Sequence, residues 1–427
     1  MKEVKVAYGK QEISLKIPTE YIIDTLQPEE GAPLMGLQAE VINRLNSPTD
    51  SSPLAEMVGK ESRVVIIVDD NTRPTPTKEI LEPLLDILFQ KGVKKNNISI
   101  IFALGAHSKL NEKEKLAIVG PKIYQNITCK NHLVEEENLV YIGKTTFGTP
   151  VYLNKEVYEA DIRILTGMIK PHNQAGYTGG GKALLPGVCG LDTIFANHSY
   201  KAMSSPASCL GNIEGNPIRM DIEEVLKKIG PTFLINVVMN HKDQVVAVVA
   251  GGVIAAHREG VRRLDSLVKK DVNKKAAICI CGTPDPIDIN FYQMLNSISA
   301  PYRLKEPVIE KGGTIIVTGR AIEGISDGDF YIALKENERE SLWLNIQGNS
   351  QYQERAALQI FLEGACNYKI IVVSEKNNQE KFKEMGMEFF QDLETAYRYA
   401  RSEYPGDKNT LILPYAPYVI PQLITEK

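Results

Sequence analysis

Three short apolar runs limit what this chain can become. Arg63-Val-Val-Ile-Ile-Val68, Ile98-Ser-Ile-Ile-Phe-Ala-Leu104 and Ile162-Arg-Ile-Leu-Thr166 are almost unbroken rather than alternating. A strand with apolar side chains on both faces belongs inside a parallel sheet covered by helices on both sides. The first run ends in Asp69-Asp-Asn-Thr-Arg-Pro-Thr-Pro76 and leads into helical sequence at 78–91. The second ends in Gly105-Ala-His107 and leads into a helix that includes 112–118. Ligands gather at the carboxyl ends of such strands. One rim is therefore expected to receive Asp70 and Arg73, His107, and His172 beyond the third run.

A second series starts after Asn273: a strand at 276–281, a loop at 282–290, a helix from Phe291, and further strands at 313–318 and 369–373 around a helix at 354–362. At 427 residues the chain is too long for one core. The predicted fold class is α/β, with two α/β domains of mostly parallel sheets and an active-site cleft between them. The larger, 1–270, would carry the cofactor site, and the smaller, 271–427, would add substrate contacts. Residues 4–17 read as a hairpin turning at Gly9-Lys10, and Asp192 is placed to cap a helix carrying His198.

A net charge of −4 gives no reason to expect nucleic acid or a membrane surface as partner. Cys129, Cys189, Cys209, Cys279, Cys281 and Cys366 include no C-x-x-C pair, which points to reduced thiols. With no signal-peptide core near the amino terminus and no apolar run of membrane length, a cytoplasmic protein is expected.

The densest chemistry lies in GMIKPHNQAGYTGGGKALLPGVCGLDTIFANH, residues 167–198. Six glycines fall between Gly176 and Gly190, with Lys182 closing the main run. Glycine lets a ligand approach the main chain, and successive N–H groups can cradle an anion. Gly176 to Lys182 fits G-x-x-x-x-G-K, but Ala183 stands where the nucleotide triphosphatase loop needs Ser or Thr, and Pro186 interrupts the helix that should follow. A P-loop nucleotide-binding protein is therefore disfavoured.

A lone loop histidine ordinarily just donates to a nearby carbonyl. His107 and His172 converging on one rim beside a lysine loop can instead serve as general acid and base. His198 can bind a borderline metal. One histidine does not make a metal site, so the remaining ligands would come from a non-protein cofactor. Arg73 offers a fork-shaped cation suited to a carboxylate or phosphate.

Asp70-Asn-Thr-Arg73, Gly105-Ala-His107, the stretch from Pro171-His172 to Lys182, His198 and Tyr292-Gln293 together resemble the lactate racemase family. The resemblance implies a nickel-pincer nucleotide, Ni(II)-pyridinium-3,5-bisthiocarboxylate mononucleotide, tethered at Lys182 through a thioamide, with nickel on His198. It makes His107 and His172 the catalytic pair and gives Asp70, Asn71, Thr72 and Arg73 contacts to cofactor or substrate. Tyr292 and Gln293 fall to the substrate. The implied reaction inverts C2 of a 2-hydroxy acid by hydride transfer to and from the cofactor, and the implied partners are the cofactor-synthesis enzymes.

The chain also departs from that pattern. The family carries a substrate-binding lysine three residues after Tyr-Gln, where this chain has Asn296. The family's later tryptophan has no counterpart: Gln351-Tyr-Gln353 or Ala356 lies near its place, and the only tryptophan, Trp343, comes earlier. These changes point to a substrate other than lactate, larger or hydroxylated. The competing class is a protein that binds or stores the cofactor without turnover; loss of His107 or His172 would mark it, and both are present.

Overall fold

The computed structural model describes residues 1–326, 328–348, 354–403 and 409–424; the 351–353 candidate for the tryptophan's place lies outside them. The first of two large sheets has six strands in the order Val245–Gly251, Thr232–Met239, Ile162–Ile169, Val64–Val68, Ile98–Phe102, Thr128–Asn131. All pairings are parallel except that of the edge strand Val245–Gly251. Every residue of Val64–Val68 and Ile98–Phe102 is buried. Val64, Ile66 and Val68 enter one core, while Val65 and Ile67 enter the core on the opposite face. That division follows from the two-residue period of a strand. It explains why these runs carry no polar alternation, each buried side chain contributing about 1.5–3 kcal/mol.

The second sheet has eight strands, with Ala276–Pro284 at its centre, between Ile309–Thr318 and the amino-terminal strand Lys2–Gly9 and also paired with Thr410–Leu413. The expected hairpin forms, Lys2–Gly9 against Gln11–Ile17. However, it pairs with the second sheet (Tyr8↔Thr283, Gly9↔Pro284), as does Ile22–Thr25, rather than with the first sheet. Alternation in the sequence identifies a strand but not its neighbour. The chain thus begins in the second sheet, builds the first, and returns after helix Val253–Val268. Among the described residues no helix is long and apolar enough to cross a membrane, and all six cysteines are unpaired.

Candidate active site

Parallel register brings three strand ends to one edge. Val68 lies beside Phe102, and Ile67 beside Leu165. Strand Val64–Val68, which delivers Asp70 and Arg73, is flanked by the strands that lead to His107 on one side and His172 on the other. The two histidines therefore leave opposite neighbours of a shared central strand.

Asp70 is 5% exposed, while the His107 side chain is 57% exposed, and Asp70 Oδ2 lies 2.6 Å from His107 Nδ1. A carboxylate accepts, so His107 Nδ1 carries the proton and Nε2 keeps its lone pair. Asp70 Oδ1 is fixed by the Thr72 N–H at 3.0 Å and hydroxyl at 2.5 Å. Burial opposes the charge on Asp70, but the hydrogen bond from His107, with Thr72 and Arg73, outweighs it and holds its carboxyl below the usual range. Thr72 thus serves Asp70, and exposed Asn71 donates to Glu114 Oε1 at 3.0 Å. Neighbouring Asp69 is held up to about 6 by burial, although Thr75 donates to it at 2.6 Å.

His172 sits in a two-residue strand paired with Gly176–Tyr177. Its Nδ1 accepts from the backbone N–H groups of Gln174 and Ala175, both at 3.2 Å. Amides only donate, so Nδ1 is unprotonated and the neutral ring carries its proton on Nε2. That nitrogen is 3.3 Å from Lys182 Nζ. Burial, then the charges of Arg219 and Arg73, lower the Lys182 ammonium to about 7. Burial, then Lys182 and Arg73, hold His172 well below its ordinary value. Although enclosed by protein, both keep part of their surface open.

The glycines of this loop answer to packing against protein. A Cβ at Gly176 (φ +77) would sit 2.2 Å from the Asn212 carbonyl oxygen, and one at Gly179 (φ +73) 2.5 Å from Asn236 Oδ1. The Gly180 N–H donates to Asn236 Oδ1 at 2.8 Å. The open anion cradle suggested by the sequence is therefore partly closed by Asn236. After Gly179 the chain makes only a short 3-10 turn, Gly180–Ala183, where a phosphate loop would open a helix.

Arg219, a residue the sequence reading passed over, holds this loop. It is 1% exposed on helix Pro217–Lys227 and donates to the carbonyls of Ala175 (3.1 Å), Gly179 (3.4 Å) and Tyr177. Its signal in the sequence is an arginine on the buried face of an amphipathic helix.

Helix Leu191–Asn197 starts at Gly190, not at an Asp192 cap; Asp192 lies in its first turn, and His198 stands at its carboxyl end. Asn197 pins that end to Asp221 Oδ2 at 3.1 Å. His198 Nδ1 lies 3.2 Å from the Ile194 carbonyl, which can only accept. The proton is therefore on Nδ1, and the Nε2 lone pair is free to bind a metal. Burial, then Lys182, lowers His198 to about 4, so the ring stays neutral. Among the described residues no three His, Cys, Asp or Glu side chains are grouped to hold a metal.

The second sheet closes the site through helix Phe291–Ser299. Asn173, next to His172, donates toward Asn296 Oδ1 and Ser299 Oγ, both at 3.4 Å. Asn296 Nδ2 donates to the Gln293 carbonyl at 2.9 Å. Tyr292 is pushed up to about 12 by burial and Glu354, with Arg73 close enough to oppose the shift. Buried Arg303, also unforeseen, donates to the Asn173 carbonyl at 3.0 Å and to Ser208 at 2.7 Å, and pairs with Glu363. Trp343 meets Tyr200 edge-on at 5.8 Å, two residues past His198. Ala356 packs on the same core as Ala183.

The site thus gathers two oriented histidines, a low-pKa lysine and a free imidazole nitrogen. The lactate racemase N-terminal domain matches residues 8–211, and the lactate racemase C-terminal domain matches residues 272–420. A lactate racemase of Thermoanaerobacterium thermosaccharolyticum is 28% identical over 97% of this chain and 98% of its own. One from Lactiplantibacillus plantarum is 29% identical over 94% and 96%. The apoprotein structure of the Thermoanaerobacterium thermosaccharolyticum lactate racemase superposes with a TM-score of 0.91 at 27% identity, covering 99% of this chain and all of that one. A Thermotoga maritima protein shares the fold at 18% identity and a TM-score of 0.69, over 92% of this chain and all of its own. Both halves of the chain match over nearly their whole length: the protein belongs to the lactate racemase family and is a racemase.

Proposed function

We propose that this racemase inverts C2 of a 2-hydroxy acid larger and more polar than lactate, using a nickel-pincer nucleotide tethered at Lys182. The supporting observation is the placement of His107 and His172 after strands that flank the one ending at Asp70 and Arg73. A racemase treats both faces of C2 alike and needs a proton-transfer group on each. A protein that only stored the cofactor would have no use for a His107 oriented by Asp70.

The donor set fits the cofactor. His198 offers one neutral nitrogen, which leaves nickel's other positions to ligands on the nucleotide. Lys182 offers an amine lowered to about 7 by burial and by the charges of Arg219 and Arg73. When bound, the group would take the C2 hydride and return it to either face of the flat 2-oxo acid.

The chain's own residues do the remaining work. His107 Nε2 accepts the substrate's hydroxyl proton, and Asp70 stabilises the imidazolium that forms. His172 presents its Nε2–H to the opposite face. Arg73 takes the carboxylate, with no competing ion pair among the described residues. Tyr292, Gln293 and Asn296 reach the substrate from the second sheet, and the packing of Asn173 on Asn296 and Ser299 keeps water out. Asn296 uses one N–H on Gln293 and keeps a second, a neutral donor suited to a hydroxyl. Ala356 near the family's tryptophan position leaves room for a longer substrate. The enzyme would work in the cytoplasm beside the enzymes that make its cofactor.

The test is a panel of enantiopure 2-hydroxy acids offered to protein co-expressed with the cofactor-making enzymes. Inversion of polar acids such as aldonates, faster than of lactate, is expected. Nickel-loaded protein that inverts lactate alone would refute the substrate assignment.

A further inference from the structure

Two features of the Lys182–His172 contact have no role in racemisation once a lysine is tethered. The first is the hydrogen-bond polarity. His172 Nδ1 is committed as acceptor to two backbone amides, and its Nε2–H then faces Lys182 Nζ at 3.3 Å. An N–H can only point at a lone pair, so this contact is satisfied when Lys182 is a neutral amine. The second is the surroundings of the amine. Among the described residues Lys182 has no carboxylate partner within ion-pair distance, whereas nearby Lys170 pairs with Asp243 at 2.6 Å. The cations beside Lys182, Arg219 and Arg73, disfavour a further positive charge. A lysine kept for anion binding would be served by the opposite arrangement.

We propose that the apoprotein catalyses its own modification: it presents Lys182 as an uncharged nucleophile, and His172 steadies the departing oxygen through its Nε2–H as the amine condenses with a thio acid. This deepens the function proposed above and rests on it for the identity of the acid. The balance is that of a condensation without redox change. The Lys182 nitrogen forms a bond to the thiocarboxyl carbon, and the carbon–oxygen bond breaks. Sulfur stays, and oxygen leaves as water. One hydrogen of that water comes from the amine and one from the thio acid. The attacking nitrogen's proton passes to the departing oxygen, while the His172 Nε2–H, fixed because Nδ1 is held by Gln174 and Ala175, donates a hydrogen bond to that oxygen without leaving the ring. The same histidine that later serves one face of the substrate thus first attaches the cofactor.

The decisive experiment needs no cofactor. Apoprotein is labelled with trace acetic anhydride between pH 5 and 11, and acetylation of each lysine is read by peptide mass spectrometry, with exposed lysines as internal standards. Lys182 should reach half its maximal rate near neutrality, when an ordinary lysine of pKa about 10.4 is less than about a thousandth deprotonated. A Lys182 profile that rises only with the exposed lysines overturns the proposal, whatever the cofactor proves to be. The second arm mixes purified apoprotein with the nickel-pincer nucleotide and follows the covalent adduct by intact mass. His172→Leu should attach it at least tenfold more slowly while retaining the nucleotide non-covalently on gel filtration, and Lys182→Ala should form no adduct. Attachment by His172→Leu at the wild-type rate removes His172 from the step, and failure of wild type to retain the nucleotide removes the cofactor reading but not the activated amine.

Discussion

Asp70 Oδ2 stands 2.6 Å from His107 Nδ1, joining a buried carboxylate to an exposed imidazole across adjacent strand ends. The arrangement fixes the tautomer and prepares Nε2 to accept a proton. Asp70→Asn should keep the fold and bind substrate nearly as well. It should lower kcat by about 10²–10⁴-fold, the usual contribution of a positioned acid–base group. Steady-state kinetics of loaded protein checks this, and an unchanged kcat would remove Asp70 from the proton path.

His198 has its Nδ1 proton engaged by the Ile194 carbonyl. His198→Ala should therefore lose nickel yet melt like the wild type, since Asn197 still pins the helix end to Asp221. Metal analysis beside circular dichroism decides. Equal nickel in both proteins would place the metal elsewhere.

Asn296 offers the substrate a neutral N–H where the family's pattern has a cation. A charge-assisted bond is roughly twice as strong as a neutral one, a gain of about 1.4 kcal/mol or tenfold in affinity. Asn296→Lys should raise kcat/KM for lactate about tenfold relative to an aldonate. No change in that ratio would mean that Asn296 does not meet the substrate.

Five histidines, His132, His172, His198, His241 and His257, are held below the ordinary imidazole value, in each case chiefly by burial. Unfolded, they take up protons near pH 6.5; folded, they do so only at lower pH, His198 at about 4. Over that interval the unfolded chain binds more protons, so the histidines' contribution to stability is full above about 6.5 and is lost as pH falls. Asp69, raised to about 6 by burial, acts in the opposite sense. Calorimetry should give a lower Tm at pH 5 than at pH 7.5, and an equal or higher value at pH 5 contradicts the burial of these rings.

What could be read from the sequence was whatever strand periodicity and strand-end position determine. Unbroken apolar runs located Val64–Val68 and Ile98–Phe102, and with them the rim carrying Asp70, Arg73, His107 and His172. Partners from far along the chain were out of reach. The amino-terminal hairpin pairs with a strand about 270 residues away, and nothing local to residues 2–17 says so. Arg219 and Arg303 act mainly on carbonyls, which every residue has, and the carboxylate partner of Arg303, Glu363, lies 60 residues on, so no pairing motif announces them. The glycines between 176 and 181 suggested an open anion loop, but the constraint on them comes from Asn212, Asn236 and Ile222.

Hydride transfer, as opposed to removal of C2–H as a proton, is the core of the proposed chemistry, and the isotope at C2 reports it. Loaded enzyme is given one enantiomer of a C2-deuterated 2-hydroxy acid in ordinary water, and the opposite enantiomer is separated and weighed by mass spectrometry. Product that keeps its deuterium is the expected result, because a hydride returned from the cofactor does not meet solvent. Product carrying protium at C2 would mean that a base exchanges that hydrogen with water, and the hydride scheme with its tethered cofactor would fall.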